Sequence, residues 1–395
     1  MNFQLISCAQ KVKVQPSALE VHRSEKQSQT IKTGAARTDL YLKLLKGKNV
    51  AIVGNQTSII DKRNRNLEAR HLVDTLLSLE INIKKVFAPE HGFRGQADAG
   101  EIIKDGFDPK TGLAIISLYG NNKKPSNEQL KDIDIVIFDI QDVGARFYTY
   151  ISTLHYVMEA CAELNIKVII LDRPNPNSHY VDGPVLEIAH KSFVGMHKVP
   201  VVYGMTIGEY GKMINGEKWL KNGIQCKLSV IPLENYKHQT AYSLPIKPSP
   251  NLPNDKSINL YPSLCFFEGT TISAGRGTEM QFQIYGSPFS AKSQFSFTPQ
   301  ANEGAKYPKY KNELCFGEDL RTTKKLLQLD LSFLIKTYQH QKSEEFFNNF
   351  FTKLAGTKKL QLQIEQGLTE KEIRKSWEKG LKEFNLIRKK YLIYE

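Results

Sequence analysis

The chain has 395 residues, of which 41% are hydrophobic and 24% charged, a balance typical of a folded globular protein and not of a disordered or collagen-like chain. The formal net charge of +13 favours an anionic partner, although a solvated lysine-rich surface explains it equally well. Five widely spaced cysteines support neither a disulfide scaffold nor a zinc site, and no apolar run approaches the ~20 residues that span a bilayer.

The first 37 residues differ in character from the rest of the chain. Residues 9–37 are rich in Ser, Gln, Lys and Thr and show no apolar period, which is typical of a leader or tether. The letters LISC at residues 5–8 resemble the end of a bacterial lipoprotein signal, although the preceding stretch is short and lacks Lys and Arg. We therefore expect a periplasmic, secreted or outer-membrane-anchored protein, with Cys8 as the candidate lipid anchor.

From residue 38, short β-branched runs alternate with segments of helical periodicity. This alternation predicts a parallel sheet with helices on both faces, a Rossmann-like α/β domain over residues 38–235. The predicted strands are residues 49–54, 83–88, 113–118, 134–139, 167–172 and 227–232, and the predicted helices are residues 66–80, 126–133, 150–164 and 206–220.

The remaining residues, 236–395, are less regular. Pro, Gly and Ser are frequent over residues 242–300, with short aromatic strands such as 281–285. Predicted helices follow at residues 332–341, 344–354 and 370–389. We interpret this part as a smaller α+β domain.

Polar segments follow most of the predicted strands, and in a doubly wound sheet ligands bind beyond the carboxyl ends of the strands. Asn55 and Gln56 follow the first strand; they suit a neutral polar ligand such as a sugar, or alternatively a helix-capping turn. Neither a dinucleotide fingerprint nor a phosphate loop is present, and no nucleic-acid-binding signature appears. Nucleotide and nucleic acid are therefore disfavoured as ligands.

Glu90 and His91 stand between Pro89 and Gly92, which predicts a tight turn that presents both side chains. Glu90 is a candidate general acid, with a turn-capping salt bridge as the alternative. No second ligand stands at metal-binding spacing from His91, so we expect no metal ion.

Paired carboxylates are what glycoside hydrolysis requires, and Asp139 and Asp142 follow the fourth strand. Arg146 suits binding of a substrate carboxylate or an internal ion pair with an aspartate. The loop that contains Asp172 and Arg173 offers the same two alternatives, a substrate-binding arginine or an internal Asp–Arg ion pair. The remaining candidate site residues are Tyr148, Tyr150 and Asn175, the carboxylates Glu268 and Glu279, and Arg276 between two glycines.

Five segments, in this order along the chain, resemble the sequence motifs of a known family. They are APEHGFRG at 88–95, DIQDVGARFYT at 139–149, DRPNPN at 172–177, DGP at 182–184 and YPSLCFFEGTTISAGRGTE at 261–279. Together they resemble the exo-β-N-acetylmuramidase (NamZ-type) family of bacterial peptidoglycan glycosidases. The resemblance extends over residues 38–395.

The resemblance implies an active cleft between the two domains and release of N-acetylmuramic acid from the non-reducing ends of peptidoglycan fragments, without a metal, nucleotide or other cofactor. It also implies that Glu90 is the catalytic acid and that Tyr148 or Tyr150, Arg146, His91 and residues 276–279 line the site. The lactyl carboxylate of this sugar suits Arg146, Arg173 or Arg276.

The identity of the second catalytic group stays open. Asp139, Asp142, Glu268, Glu279 and the substrate's own N-acetyl group are the alternatives. A non-catalytic peptidoglycan-binding protein on the same fold is the competing class, because a fold alone does not decide function. An amidase or esterase lacks any nucleophile motif here.

Overall fold

A computed structural model describes residues 30–60, 69–94, 105–341 and 343–395. Cys8 and the leader up to residue 29 lie outside the described residues, as do residues 66–68 of one predicted helix. Residues Ile31–Glu395 form one compact unit. The predicted boundaries at residues 37 and 235 stay predictions. None of the helices in the described ranges has the length and apolar character required to cross a membrane.

The elements follow one another in the order expected of an α/β protein. The strands are β1 (Val50–Gly54), β2 (Ile59–Ile60), β3 (Arg70–His71), β4 (Ile83–Ala88), β5 (Gly106–Phe107), β6 (Ala114–Ser117), β7 (Ile135–Asp139), β8 (Lys167–Leu171), β9 (Lys227–Ile231), β10 (Ile284–Ser287), β11 (Ser296–Phe297) and β12 (Cys315–Asp319). The helices are α1 (Thr38–Leu45), α2 (Leu72–Ser78), α3 (Tyr150–Glu163), α4 (Ile207–Gly216), α5 (Asp255–Leu264), α6 (Ser332–His340), α7 (Asn349–Ala355), α8 (Lys359–Glu365) and α9 (Glu370–Arg388).

Seven strands form the central sheet in the order β5-β6-β4-β1-β7-β8-β9. Each neighbouring pair from β6 to β9 is parallel, and β5 is antiparallel to β6 at the edge. Gly54 at the end of β1 pairs with Asp139 at the end of β7, so these two carboxyl ends are level. Strands β10, β12 and β11 form a separate antiparallel sheet in the smaller C-terminal part. The predicted α/β class with a smaller α+β part is confirmed.

Both faces of the central sheet are buried, each in a different core. Because successive side chains of a strand point to opposite faces, alternate residues of one strand belong to different cores. Val50 and Ile52 of β1 pack with α1 and α2 in one core. Ala51 and Val53 belong to a larger core that contains α3, α4 and the C-terminal helices α5, α7 and α9. The C-terminal part therefore shares a core with the sheet, and this fixes its position beside the strand ends.

One predicted helix, residues 126–133, is wrong. This segment forms a series of turns, in which the Ser126 and Gln129 side chains each accept a hydrogen bond from the other residue's backbone N–H. Asp132 has φ of 60° and ends the segment in the left-handed region. Polar side chains that bond the local backbone in this way compete with helix formation.

Helix α5 was not predicted, because Pro262 and the surrounding Ser and Asn residues are typical of a loop. Proline lacks the N–H that would bond to the carbonyl of Ile258 one turn earlier. The Asn177 side chain donates to that carbonyl at 3.0 Å instead. A residue from a strand-end loop therefore replaces the hydrogen bond that the helix lacks at the Ile258 carbonyl. No local sequence pattern reveals this long-range contact. The short helix α8 was also not predicted.

Candidate active site

The loop after β4 forms the predicted tight turn. The Gly92 N–H donates to the Pro89 carbonyl at 3.0 Å, and both His91 and Gly92 adopt left-handed conformations, with φ of 71° and 77°. A positive φ at a residue other than glycine is uncommon and persists where the surroundings impose it. His91 is buried, whereas Glu90 stays partly exposed. The turn therefore presents the Glu90 carboxylate at the edge of the sheet.

Two hydroxyl groups hold the Glu90 carboxylate. Thr149 Oγ1 donates to Glu90 Oε2 at 2.7 Å and makes no capping bond to helix α3, which it precedes. The Tyr119 hydroxyl also hydrogen-bonds Glu90; burial and the Glu90 charge raise the pKa of Tyr119, so this hydroxyl stays protonated. Residues from two other loops thus hold the Glu90 carboxylate.

A second group of contacts joins the strand ends to the segment around Pro248. The Tyr148 hydroxyl donates to the Pro248 carbonyl at 2.7 Å, and Asn55 Nδ2 donates to the Tyr150 hydroxyl at 2.9 Å. Burial raises the pKa of both tyrosines, so both hydroxyls stay protonated. The Gln56 side chain reaches the Lys247 carbonyl at 3.2 Å. These bonds hold the C-terminal segment against the sheet edge.

Arg276 and Glu268 form a partly exposed ion pair on the opposite wall. Arg276 Nε lies 3.0 Å from Glu268 Oε1, and about a quarter of each side chain is exposed, 24% and 26%. The guanidinium carbon of Arg276 lies 5.1 Å from the centre of the Phe282 ring, within the range of a cation–π contact.

These walls enclose a cleft of about 250 Å³ between the strand-end loops and the C-terminal part. Glu90, His91, Tyr148, Glu268 and Arg276, all predicted site residues, line it together. A cavity of about 300 Å³ shares Glu268 and Arg276 in its wall. Tyr261, a residue whose ring suits stacking on a sugar face, also lines the cleft. The other lining residues were not predicted from the sequence, namely Tyr119, Phe147, Thr149, Phe193, Val194, Ser249, Asn251, Leu252, Cys265, Phe282, Phe350 and Leu354.

Asp139 and Arg173 lie outside this lining and pair with each other. Arg173 Nε donates to Asp139 Oδ1 at 2.6 Å and Nη2 donates to Oδ2 at 2.9 Å, both side chains being buried. Arg173 Nη2 also donates to the Ile59 carbonyl at 3.0 Å. An internal Asp–Arg ion pair was one of two roles predicted for Arg146 and for Asp172 with Arg173. The pair that forms instead joins Asp139 to Arg173, and it connects the ends of β7, β8 and β2.

Asp142 and Asp172 are also buried among protein donors. Asp142 accepts from the Tyr203 hydroxyl and from the Gly144 N–H, and burial raises the pKa of Asp142 to about 6. Asp172 accepts from the Tyr394 hydroxyl at 2.6 Å, and burial raises its pKa to about 7. Neither carboxylate lines the cleft, and their contacts are those of groups that hold loops together.

Arg146 makes a contact that neither sequence interpretation anticipated. It is fully buried, and its two terminal nitrogens donate to four backbone carbonyls at 2.7–2.8 Å. Two of these carbonyls belong to residues 354 and 355 at the end of α7, so Arg146 fastens this helix to the loop after β7.

The last two candidates also lie away from the cleft lining. Asn175 Nδ2 donates to the Met205 carbonyl at 2.8 Å, and Glu279 is exposed. Catalytic or binding roles for the candidates outside the cleft stay predictions. No cluster of three or more His, Cys, Asp or Glu side chains in the described part of the chain is arranged to hold a metal ion.

Comparison with known proteins relates this geometry to a family. The model described as "Exo-beta-N-acetylmuramidase NamZ, N-terminal" matches residues 50–256, and its C-terminal counterpart matches residues 259–394. The peptidoglycan beta-N-acetylmuramidase NamZ of Bacillus subtilis (strain 168) is 38% identical over 384 residues, which cover 90% of this chain and 89% of that protein.

Two solved structures from Bacteroides fragilis NCTC 9343, both described as DUF1343 family proteins, share the fold. One has a TM-score of 0.85 and 44% identity and covers 93% of this chain and 99% of its own. The other has a TM-score of 0.78 and 28% identity and covers 92% and 99%. The two family models match consecutive parts of the chain that together extend from residue 50 to residue 394. The chain therefore belongs to the exo-β-N-acetylmuramidase family, a family of glycosidases.

Proposed function

We propose that this chain hydrolyses the glycosidic bond of a terminal N-acetylmuramic acid at the non-reducing end of peptidoglycan fragments, with Glu90 as the general acid. Family membership supports the reaction. The observation that carries the residue assignment is the position of Glu90. Its carboxylate is partly exposed and is held by the Thr149 and Tyr119 hydroxyls in a cleft.

The proposed step is a proton transfer from the Glu90 carboxyl group to the leaving glycosidic oxygen as the bond to the anomeric carbon breaks. Thr149 fixes one oxygen of the carboxyl group, which orients the group and reduces the freedom lost on reaching the transition state. The aromatic residues Phe147, Tyr148 and Tyr261 line the cleft and would provide apolar contacts to a sugar ring.

Glu268 is the strongest protein candidate for the second group. Of the four carboxylates considered, Asp139 and Asp142 are buried outside the lining, and Glu279 is not part of it. Glu268 lines the same cleft as Glu90 and forms an ion pair with Arg276. A carboxylate at this position would activate a water molecule or stabilise positive charge at the anomeric carbon. Assistance by the substrate's N-acetyl group remains the alternative.

The activity is tested with two defined disaccharides, one with N-acetylmuramic acid at the non-reducing end and one with N-acetylglucosamine there. We expect release of N-acetylmuramic acid from the first only, at the same rate with and without a chelator. Retention of the sugar without bond cleavage would instead identify a binding protein. Cleavage within longer chains would contradict the exo mode of action.

We further propose that the protein acts in the periplasm or is anchored to the outer membrane through Cys8, and that the released sugar serves cell-wall recycling. Support comes from the signal-like residues 5–8 and from the location of peptidoglycan outside the cytoplasm. Fractionation of cells that express the native protein or a Cys8→Ser variant tests the anchor. Equal membrane association of both would contradict it.

A further inference from the structure

Three arginines were candidates for the lactyl carboxylate of N-acetylmuramic acid, and the structure separates them. The terminal nitrogens of Arg146 are bonded to four carbonyls, and Arg173 is bonded twice to Asp139. Their residues are 0% and 3% exposed. Neither guanidinium is available to a ligand in the cleft, whereas Arg276 lines it.

The contacts of Arg276 leave its outer edge open. Glu268 Oε1 engages Nε, and the Phe282 ring supports the plane of the guanidinium. Within the described part of the chain, the two terminal nitrogens of Arg276 have no hydrogen-bond partner. A planar pair of N–H donors in this arrangement matches the two oxygens of a carboxylate.

The loop that carries Arg276 is held in one conformation. Gly275 and Gly277 have φ of 80° and 79°, and a Cβ at Gly277 would lie 2.6 Å from the Gln300 carbonyl oxygen. The Gln300 N–H donates to the Gly277 carbonyl at 2.8 Å, and Thr278 Oγ1 donates to the Gly275 carbonyl at 2.7 Å. The guanidinium is therefore positioned before a ligand arrives, which reduces the entropic cost of binding.

A partly buried cation, Lys309, adds to the positive potential. Lys309 lines the adjoining cavity with Glu268 and Arg276, which makes two cations against one carboxylate in that lining. Lys309 Nζ donates to the Phe267, Thr270 and Ile272 carbonyls, so it contributes charge and no further hydrogen bond. The cavity therefore attracts an anion, and Arg276 supplies the donors that would bind it.

We propose that Arg276 binds the free lactyl carboxylate of the terminal sugar through its two terminal nitrogens and thereby determines selectivity for N-acetylmuramic acid over N-acetylglucosamine. The assignment rests on the proposed function. It identifies a specificity residue, because the lactyl group is what distinguishes the two sugars, and it gives the partly exposed Arg276–Glu268 pair a role in binding as well as in structure.

The test compares kcat/KM on a chromogenic β-N-acetylmuramide, on its lactyl methyl ester and on the matching N-acetylglucosaminide. The wild-type protein should prefer the free acid over the ester by more than about 10-fold. Arg276→Met should lose at least about 10-fold more on the acid than on the ester, because both substrates lose the contact between Arg276 and Glu268 but only the acid forms the charge-assisted pair with the substrate. Arg276→Lys should fall between, and Arg321→Met, which alters an exposed arginine paired with Asp319, should match the wild type.

The outcomes separate this inference from the proposed function. If no substrate is cleaved by the folded wild-type protein, the proposed function fails, and binding of free N-acetylmuramic acid against its methyl ester by calorimetry still tests Arg276. Equal losses on acid and ester in Arg276→Met would overturn the inference while leaving the hydrolase in place. So would a wild-type protein that treats acid and ester alike.

Discussion

Replacing Arg146 by methionine tests whether this side chain is an internal anchor. The structure gives the carbonyls of Pro184, Leu354 and Ala355 no donor among the described residues other than Arg146, whereas the Val199 carbonyl also accepts from the Leu186 N–H at 3.1 Å. Three orphaned carbonyls at about 1–3 kcal/mol each cost roughly 3–9 kcal/mol.

Methionine also removes a buried charge, which offsets part of this cost, so we expect the free energy of unfolding to fall by about 4 kcal/mol. At about 2 °C per kcal/mol, the Tm falls on the order of 8 °C. Calorimetry and urea unfolding measure the change, with Arg321→Met as the exposed control. A Tm within about 2 °C of wild type, combined with lost activity, would refute the anchor and return Arg146 to substrate binding.

Further substitutions test two other features of the structure. Gly356→Ala, at φ of 71° with the new Cβ 2.8 Å from Arg146 Nη2, should lower the free energy of unfolding by about 2 kcal/mol in urea. Gly47→Ala, at φ of 69° in open space, should lose only about 1 kcal/mol, and equal losses would contradict the clash. The His71 ring accepts from the Val73 N–H, and burial lowers the pKa of His71 to about 4 from 6.5. Its unfolded form binds the proton more tightly, so stability is lost as the pH falls from 6.5 towards 4, by about 2 kcal/mol at pH 5. His71→Asn should remove that loss, and identical pH profiles for both proteins would refute this origin.

The central sheet was predictable because β1, β4, β7 and β8 are runs rich in apolar residues whose side chains are buried in the two cores. The predicted ends of β1, β4, β7 and β8 lie within one residue of those observed. Helix α5 was not predictable, because its continuation past Pro262 depends on Asn177 from a distant loop. The local pattern of apolar residues does not reveal a contact between residues so far apart in the sequence.

The site was predictable at the level of loops and less so at the level of side chains. The strand-end rule brought Glu90 and Tyr148 to the same edge, and both line the cleft. It does not distinguish a side chain that faces the cleft from one that pairs beneath it, as Asp139 does with Arg173. Tyr119 was overlooked although it follows β6 closely, where the same rule applies.

The role of Glu90 is tested by comparing turnover of a β-N-acetylmuramide by the Glu90→Gln and Glu279→Gln proteins. We expect Glu90→Gln to lose at least about 1,000-fold in kcat while its Tm and its affinity for N-acetylmuramic acid stay close to wild type, because only the proton donor is removed. Glu279, which is exposed and outside the cleft lining, should tolerate the same change. Wild-type turnover by a folded Glu90→Gln protein would contradict the assignment of Glu90 as the catalytic acid.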